Sequence, residues 1–417
     1  MNTSIFSENK KNKDENRMEQ VISEVKKFSP EPIKIHDTVN LDEIEEVLAT
    51  VLLVQDDQIK KKIIEHHLGY LESKFSIPEY KIKIFIAYSN GEPCGYVISD
   101  LNPEYKSYGR KCGTFGWLNA SNFEICKKLL KQCELFVKEN RLRKIRGPIN
   151  FPKNQMGFGL QTEGQQEQIL CGVALANPNT ELFQYLSHLN YEAESEYTCL
   201  RVDDEAWKKG NTLDKNLKLC CVPLAELREK LDEIVDLAGD SFSTLLPDTS
   251  GGGRENIKDL IRLAINIPKS HFRYQPCPEL YTKYANIPEF IEAWKDADLE
   301  NIVTVFPMVL EKKTGKLIGM IIGVLDYYQY WKNEYVSRIN VHTAMVRRGY
   351  NGKGVFSSLS NFGQATNKSI KGTIYFEGTA VWTKNSKGVN NKDAVNSIFP
   401  HCTPIRKHVV FEKRVKY

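Results

Sequence analysis

The order of apolar and polar positions divides this chain into two similar passages. Apolar residues recur at helical spacing over residues 41–54 and 59–75. A hairpin follows, with a strand over 82–88, a turn at Asn90-Gly91 and a return strand over 94–98. Both turn residues tolerate the positive φ that a two-residue hairpin turn requires. Later in the chain 302–310 is strand-like, Thr314-Gly315 turns, and 317–322 returns. Aligning Gly91 with Gly315 also aligns Gly95 with Gly319.

The elements that follow keep the same order. In the first passage an aromatic strand, 114–118, leads to a helix over 122–140 and a short strand over 144–146. That helix is amphipathic, with Phe123, Cys126, Leu129, Leu130, Cys133 and Val137 on one side. In the second, a strand over 336–346 leads to a helix over 355–368 and a strand over 373–382. Hairpin, strand, helix and strand occurring twice predict an α/β (α+β) chain of two tandem domains, each a mixed central sheet flanked by helices.

Pro30 and Pro32 close a polar tail, residues 1–30, that carries a short helix over 18–28. A polar stretch between Val202 and Leu217 follows strand-like 197–202. It sets an N-terminal domain of 31–210 and a C-terminal domain of 211–417, opened by a helix over 223–239. Residues 240–290, with Gly251-Gly252-Gly253 and several prolines, match neither passage.

Composition narrows the functional classes. A chain of 417 residues is long enough for two cores. With 57 basic against 53 acidic residues the net charge is +4, too even for nucleic acid as the main ligand. No stretch approaches the roughly 20 apolar residues that span a bilayer. The tail lacks the apolar core of a secretory leader, so a cytoplasmic location is expected. The ten cysteines include no Cys-x-x-Cys pair, and adjacent His66 and His67 project in different directions on a helix, so no metal is expected. Reduced thiols are expected, with Cys220 and Cys221 strand or loop residues rather than a redox pair.

The segment with most chemical content is Val346-Arg347-Arg348-Gly349-Tyr350-Asn351-Gly352-Lys353-Gly354-Val355-Phe356. It joins a strand to a helix, so its amides can converge at a helix N-terminus, where an anion such as pyrophosphate is favoured. Arg347, Arg348 and Lys353 can add positive charge. The spacing is neither that of a mononucleotide loop nor that of a dinucleotide fingerprint.

Strand, glycine loop and helix in this order resemble the acyl-CoA pyrophosphate site of GNAT acetyltransferases, whose loop reads Arg/Gln-x-x-Gly-x-Gly/Ala. Val346, Tyr350, Gly352 and Gly354 match, while Asn351 stands at the leading Arg/Gln and Phe356 at the closing Gly/Ala. Arg146-Gly147-Pro148-Ile149-Asn150-Phe151, with Asn154 and Glu163-Gly164, resembles the Gly-Pro-x-Asn-Phe signature of large bacterial GNAT-like proteins. In the first half Gly116-Trp117-Leu118-Asn119-Ala120 precedes the helix in place of a glycine loop. That half is therefore expected to hold no CoA and to wall the substrate cleft.

The resemblance implies acetyl-CoA or another acyl-CoA as co-substrate. It would be held by Met345, Val346, Asn351, Gly352, Lys353, Gly354 and Asn385, with Asn150, Asn154 and Glu163 binding substrate. The implied reaction is transfer of an acyl group, acetyl first among candidates, to an amine of a small metabolite. An amine of pKa about 10.4 must lose a proton, at a cost of about 4–5 kcal/mol at pH 7. Glu377 and Asp326 are the candidate bases, and Tyr328 (or Tyr330) the group that protonates the leaving thiolate. His342 qualifies only if it points into the cleft. A catalytically inactive GNAT-like binding protein and an aminoacyl-tRNA-dependent transferase are the alternatives. The chain is expected as a monomer or homodimer.

Overall fold

The computed structural model describes residues 32–416, apart from 55, 153–156, 165–180, 204–211, 223, 243–245, 249–252, 266–277, 296–305, 333–334, 368–371, 384–401. The N-terminal tail with its expected helix, Asn154 and Asn385 lie outside the described residues.

The first half begins with β1 (Lys34–Thr38), α1 (Leu41–Val51) and α2 (Asp57–Phe75). Asn40 and Asp56 start the two helices by accepting hydrogen bonds from first-turn amides. The hairpin β2 (Lys81–Ser89) and β3 (Glu92–Leu101) turns at Asn90 and Gly91, both at positive φ. A short pair follows, β4 (Lys106–Ser107) and β5 (Arg110–Lys111). Then come β6 (Gly113–Ala120), α3 (Phe123–Glu139), β7 (Lys144–Gly147), β8 (Leu160–Glu163), α4 (Glu181–His188) and β9 (Glu192–Asp203).

The second half starts at β10 (Leu217–Cys220). The helix expected over 223–239 is two, α5 (Leu224–Glu229) and α6 (Leu231–Ser241), broken at Lys230. The stretch matching neither passage contributes α7 (Arg254–Ile265), α8 (Pro278–Lys283) and α9 (Pro288–Lys295). The strand read over 302–310 is described only as β11 (Met308–Glu311), which pairs with β12 (Leu317–Leu325). A short helix α10 (Tyr327–Trp331), β13 (Arg338–Val346), α11 (Val355–Thr366), β14 (Tyr375–Trp382) and β15 (Thr403–Arg414) complete it.

All strands except β4 and β5 join one sheet in the order β1-β2-β3-β6-β7-β15-β9-β14-β13-β12-β11-β10, with β8 also against β15. That order reads the same from either end if each strand is replaced by its counterpart in the other half. The match holds through the centre, where the last strands of the two halves are exchanged. β15 pairs with β7, setting Phe411 opposite Gly147, and β9 pairs with β14, setting Val202 opposite Phe376. The boundary at 210/211 therefore divides the sequence but not the sheet.

One face of the sheet is covered by α1 and α2 of the first half and α6 and α7 of the second, whose apolar residues share one core. The opposite face has two separate cores. One lies under α3 and α4, the other under α8, α9 and α11. The expected side of α3 is buried at Cys126, Leu129, Leu130, Cys133 and Val137.

Candidate functional site

In the second half β13 and β14 pair in parallel only from Arg338 opposite Tyr375 to Val341 opposite Gly378. Two irregularities fall where they separate. The β12–β13 register shifts at Ile322/Gly323, leaving His342 as the extra residue, and the β14–β9 register shifts between Gly378 and Val381, where Ala380 has φ 51°. Such bulges bend a strand and re-aim its side chains. The gap opens at the carboxyl ends of two parallel strands, the place where open α/β sheets receive ligands.

A cavity of about 220 Å³ fills this gap and runs between the sheet and α11. Ile339, Val341 and Phe376 form apolar walls, Ser360, Gln364 and Asn367 line the helix side, and His342 is also among the lining residues. Phe356 borders it and remains 38% exposed.

The glycine loop ends where α11 begins, two residues before the cavity-lining Phe356. Gly352 and Gly354 have φ of 78° and 72°, the left-handed region open to glycine, and Gly354 caps the helix with no side-chain hydrogen bond. A Cβ at Gly349 or Gly352 would meet no atom within 4 Å, so the loop surface is open there. Asn351, Gly352 and Lys353 are exposed, and the Lys353 ammonium lies 4.4 Å from the Tyr350 ring centroid. The three basic residues differ. Arg347 is buried, its Nε donating to the Leu317 carbonyl at 2.7 Å and its NH2 to Asp236 at 2.8 Å, so its charge is committed to the fold. Arg348 and Lys353 remain at the surface. Met345 is fully buried beside Met320, and Val346 accepts a hydrogen bond from Ser241 at 3.1 Å through its carbonyl.

The candidate bases sit in a different environment from the one expected. Glu377 is fully buried between Arg338, whose NH1 donates at 3.0 Å, and Arg406 of β15. Each of its oxygens is engaged by a guanidinium group, which commits this side chain to the fold. Asp326 is paired with Arg338 at 2.6 Å and caps α10 by accepting from the Gln329 amide. Burial pushes its carboxyl above the usual carboxylate range, with Arg338 opposing. Both acids therefore belong to one buried ionic cluster that joins β13, β14 and β15. Tyr328 is half-buried, with the Lys332 ammonium 4.6 Å from its ring centroid.

The first half places its own chain where the second has a cavity. β6 and β7 pair in parallel only at Gly113–Ile145 and Thr114–Arg146, and Trp117 has φ 53°. Past this point the Ile149 amide donates to the Phe115 carbonyl at 2.8 Å. The Asn150 Oδ1 accepts from the Trp117 amide at 2.6 Å, and the Trp117 indole donates to the Phe151 carbonyl at 2.9 Å. Gly116 is needed because a Cβ there would lie 1.9 Å from the Ile149 carbonyl oxygen. Asn150, expected to bind substrate, is 1% exposed and satisfies the backbone of β6. Glu163 instead lies at the surface, 2.7 Å from Lys407. These two do not form one polar cluster.

Residues missed in the sequence are Arg338, Arg406, Gln364 and Asn367. The last two had a signal, since Ser360, Gln364 and Asn367 are polar at i, i+4 and i+7 on a helix otherwise apolar on that side. Burial pushes the Cys220 thiol up to about 12 and the Cys221 thiol higher, which removes both as ready thiolates. Among the described residues no group of His, Cys, Asp and Glu is arranged to hold a metal, and no helix is long and apolar enough to cross a membrane.

The fold these elements define is the tandem GNAT fold. The chain is similar to a tandem GNAT protein from the clavulanic acid biosynthesis pathway at TM-score 0.50 and 10% identity, covering 93% of this chain and 99% of that one. It is also similar to a GCN5-related glucosamine N-acetyltransferase region of a fungal multi-domain GH3 β-N-acetylglucosaminidase. There the TM-score is 0.52 at 11% identity, over 93% of this chain and 38% of that one. No protein-family model and no curated protein sequence matches the chain.

Proposed function

We propose that the protein is an acyl-CoA-dependent N-acyltransferase whose thioester site lies in the second half, with the amine of a small metabolite as acceptor. The observation that carries this reading is the parting of β13 from β14 over a cavity that ends at the glycine-capped start of α11. A thioester supplies an activated acyl carbon, and the protein must hold it, free the amine lone pair and steady the developing oxyanion. The exposed loop at Asn351, Gly352 and Lys353, with glycines at positive φ just before α11, suits a pyrophosphate. Beyond Val341 β13 no longer pairs with β14, and the edge it turns to the gap suits the pantetheine arm and an oxyanion. His342 lines the cavity, and a neutral imidazole can accept a proton, so it takes over the proton-accepting role first considered for Glu377 and Asp326.

The residues also fit a single thioester per chain, because the equivalent gap of the first half is filled by Ile149, Asn150 and Phe151. A second reading, a GNAT-shaped binding protein without turnover, is favoured by the commitment of Glu377 to Arg338 and Arg406. The two readings separate in an assay of CoA thiol release from acetyl-CoA with a panel of small primary amines. Amine-dependent release supports the transferase; thioester binding without release across the panel supports the binding protein.

A further inference from the structure

The second-half cavity continues past the point where the strands part. Ile339 and Phe376, two of its walls, lie in the section where β13 and β14 are still paired. On the helix side it reaches Gln364 and Asn367. Gln364 lies about 15 Å along α11 from the Gly354 cap, at 1.5 Å per residue. This inner chamber is therefore away from the loop that suits the pyrophosphate and beneath the apex where the reacting carbonyl would sit. At about 220 Å³ the whole cavity exceeds what an acetyl group fills, since even one water occupies about 30 Å³ of liquid.

Its polar groups are unusual. Gln364 is 3% exposed, and neither its Oε1 nor its Nε2 has a hydrogen-bond partner. The Asn367 Oδ1, on a residue 5% exposed, has none either. A buried amide without partners is costly, by about 1–3 kcal/mol, unless something enters to satisfy it. Among the described residues that line it there is no Lys or Arg, so an anionic group would be desolvated there without a counter-charge from them. A hydroxyl both donates and accepts, which matches one amide oxygen and one amide nitrogen side by side.

Building on the thioester reading above, we propose that the chamber receives an acyl chain longer than acetyl that carries a neutral hydroxyl near its end, recognised by Gln364 and Asn367. The apolar walls hold the chain's methylenes while the two amides select the hydroxyl. A site built around a hydrogen bond discriminates strongly against an analogue that lacks the group, because its own buried partners are then left unpaired.

The test is calorimetric titration of the full chain with CoA, acetyl-CoA, butyryl-CoA, 3-hydroxybutyryl-CoA and succinyl-CoA, repeated on Gln364→Leu and on the milder Gln364→Met. The expected result is that 3-hydroxybutyryl-CoA binds at least about tenfold more tightly than butyryl-CoA. Succinyl-CoA should be weaker than either, and in both variants the hydroxy preference should fall to within about twofold of parity. Equal affinities for CoA and all four thioesters would overturn the chamber's role while leaving the thioester site standing. A hydroxy preference that survives in a folded variant would remove Gln364 from it. Absence of binding by every compound would overturn the chamber and the thioester reading together.

Discussion

Gly95 and Gly319 occupy the same place in the two halves, and each is filled by two side chains of the helix above it. A Cβ at Gly95 would meet Ile125 at 2.6 Å and Leu129 at 3.0 Å; one at Gly319 would meet Val355 at 2.6 Å and Leu359 at 3.0 Å. In both halves the two contacts come from helix residues four apart, so α3 and α11 seat on their sheets through the same missing side chain. Gly319→Ala should destabilise the protein by about 1–3 kcal/mol through overpacking, read as a lower urea midpoint. Gly315→Ala, at a turn where φ is 72° but no atom lies within 4 Å, should act through backbone strain alone and cost less.

Glu377 should prove a structural residue. Replacing it by Gln leaves Arg338 and Arg406 buried without their shared carboxylate, and breaking such a pair costs about 3–5 kcal/mol. The check is denaturant unfolding of Glu377→Gln beside the native chain. A variant of native stability would argue that the cluster contributes little and would reopen a chemical role for the acid.

Asn150→Ala should lower stability by about 1–3 kcal/mol, because the Trp117 amide loses its buried acceptor. A substrate-binding role predicts the opposite pattern, an unchanged melting temperature with weakened substrate affinity. Thermal melting together with thioester titration of the variant distinguishes them.

Asp100 gives the protein a pH dependence of known sign. It is 3% exposed, both carboxyl oxygens lack partners, and burial pushes its pKa up to about 8, with Lys74 opposing. The unfolded chain loses this proton near the ordinary value of about 4. Between those values the folded state binds more protons than the unfolded state, so this contribution to stability falls as pH rises. It is fully present below about pH 4 and is lost through about pH 8. Asp100→Asn should flatten the decline in urea midpoint between pH 5 and 8, and a variant with an unaltered slope would contradict this assignment.

Much of the architecture was legible because it is local. Turn residues at Asn90-Gly91 and Thr314-Gly315, the apolar stripe of α3 and the glycine run before α11 each act within a few residues of themselves. The exchange of β9 and β15 was not legible, since nothing in the pattern of 403–414 names β7, more than two hundred residues earlier, as its partner. The same distance hid the site's charge balance. Glu377 read as a lone strand carboxylate until β15 brought Arg406 to it. Asn150 stood as a candidate substrate-binding residue until the fold placed it against Trp117. His342 was visible as a strand residue, but not as the extra residue of a bulge beside the cavity.

The central claim is a single thioester site at the second-half glycine loop, and calorimetric titration with acetyl-CoA measures it most directly. The account predicts one molecule bound per chain, with binding lost in a Gly352→Asp, Gly354→Asp double variant that stays folded but sets carboxylates against the pyrophosphate. Two molecules per chain, or undiminished binding by that variant, would contradict it.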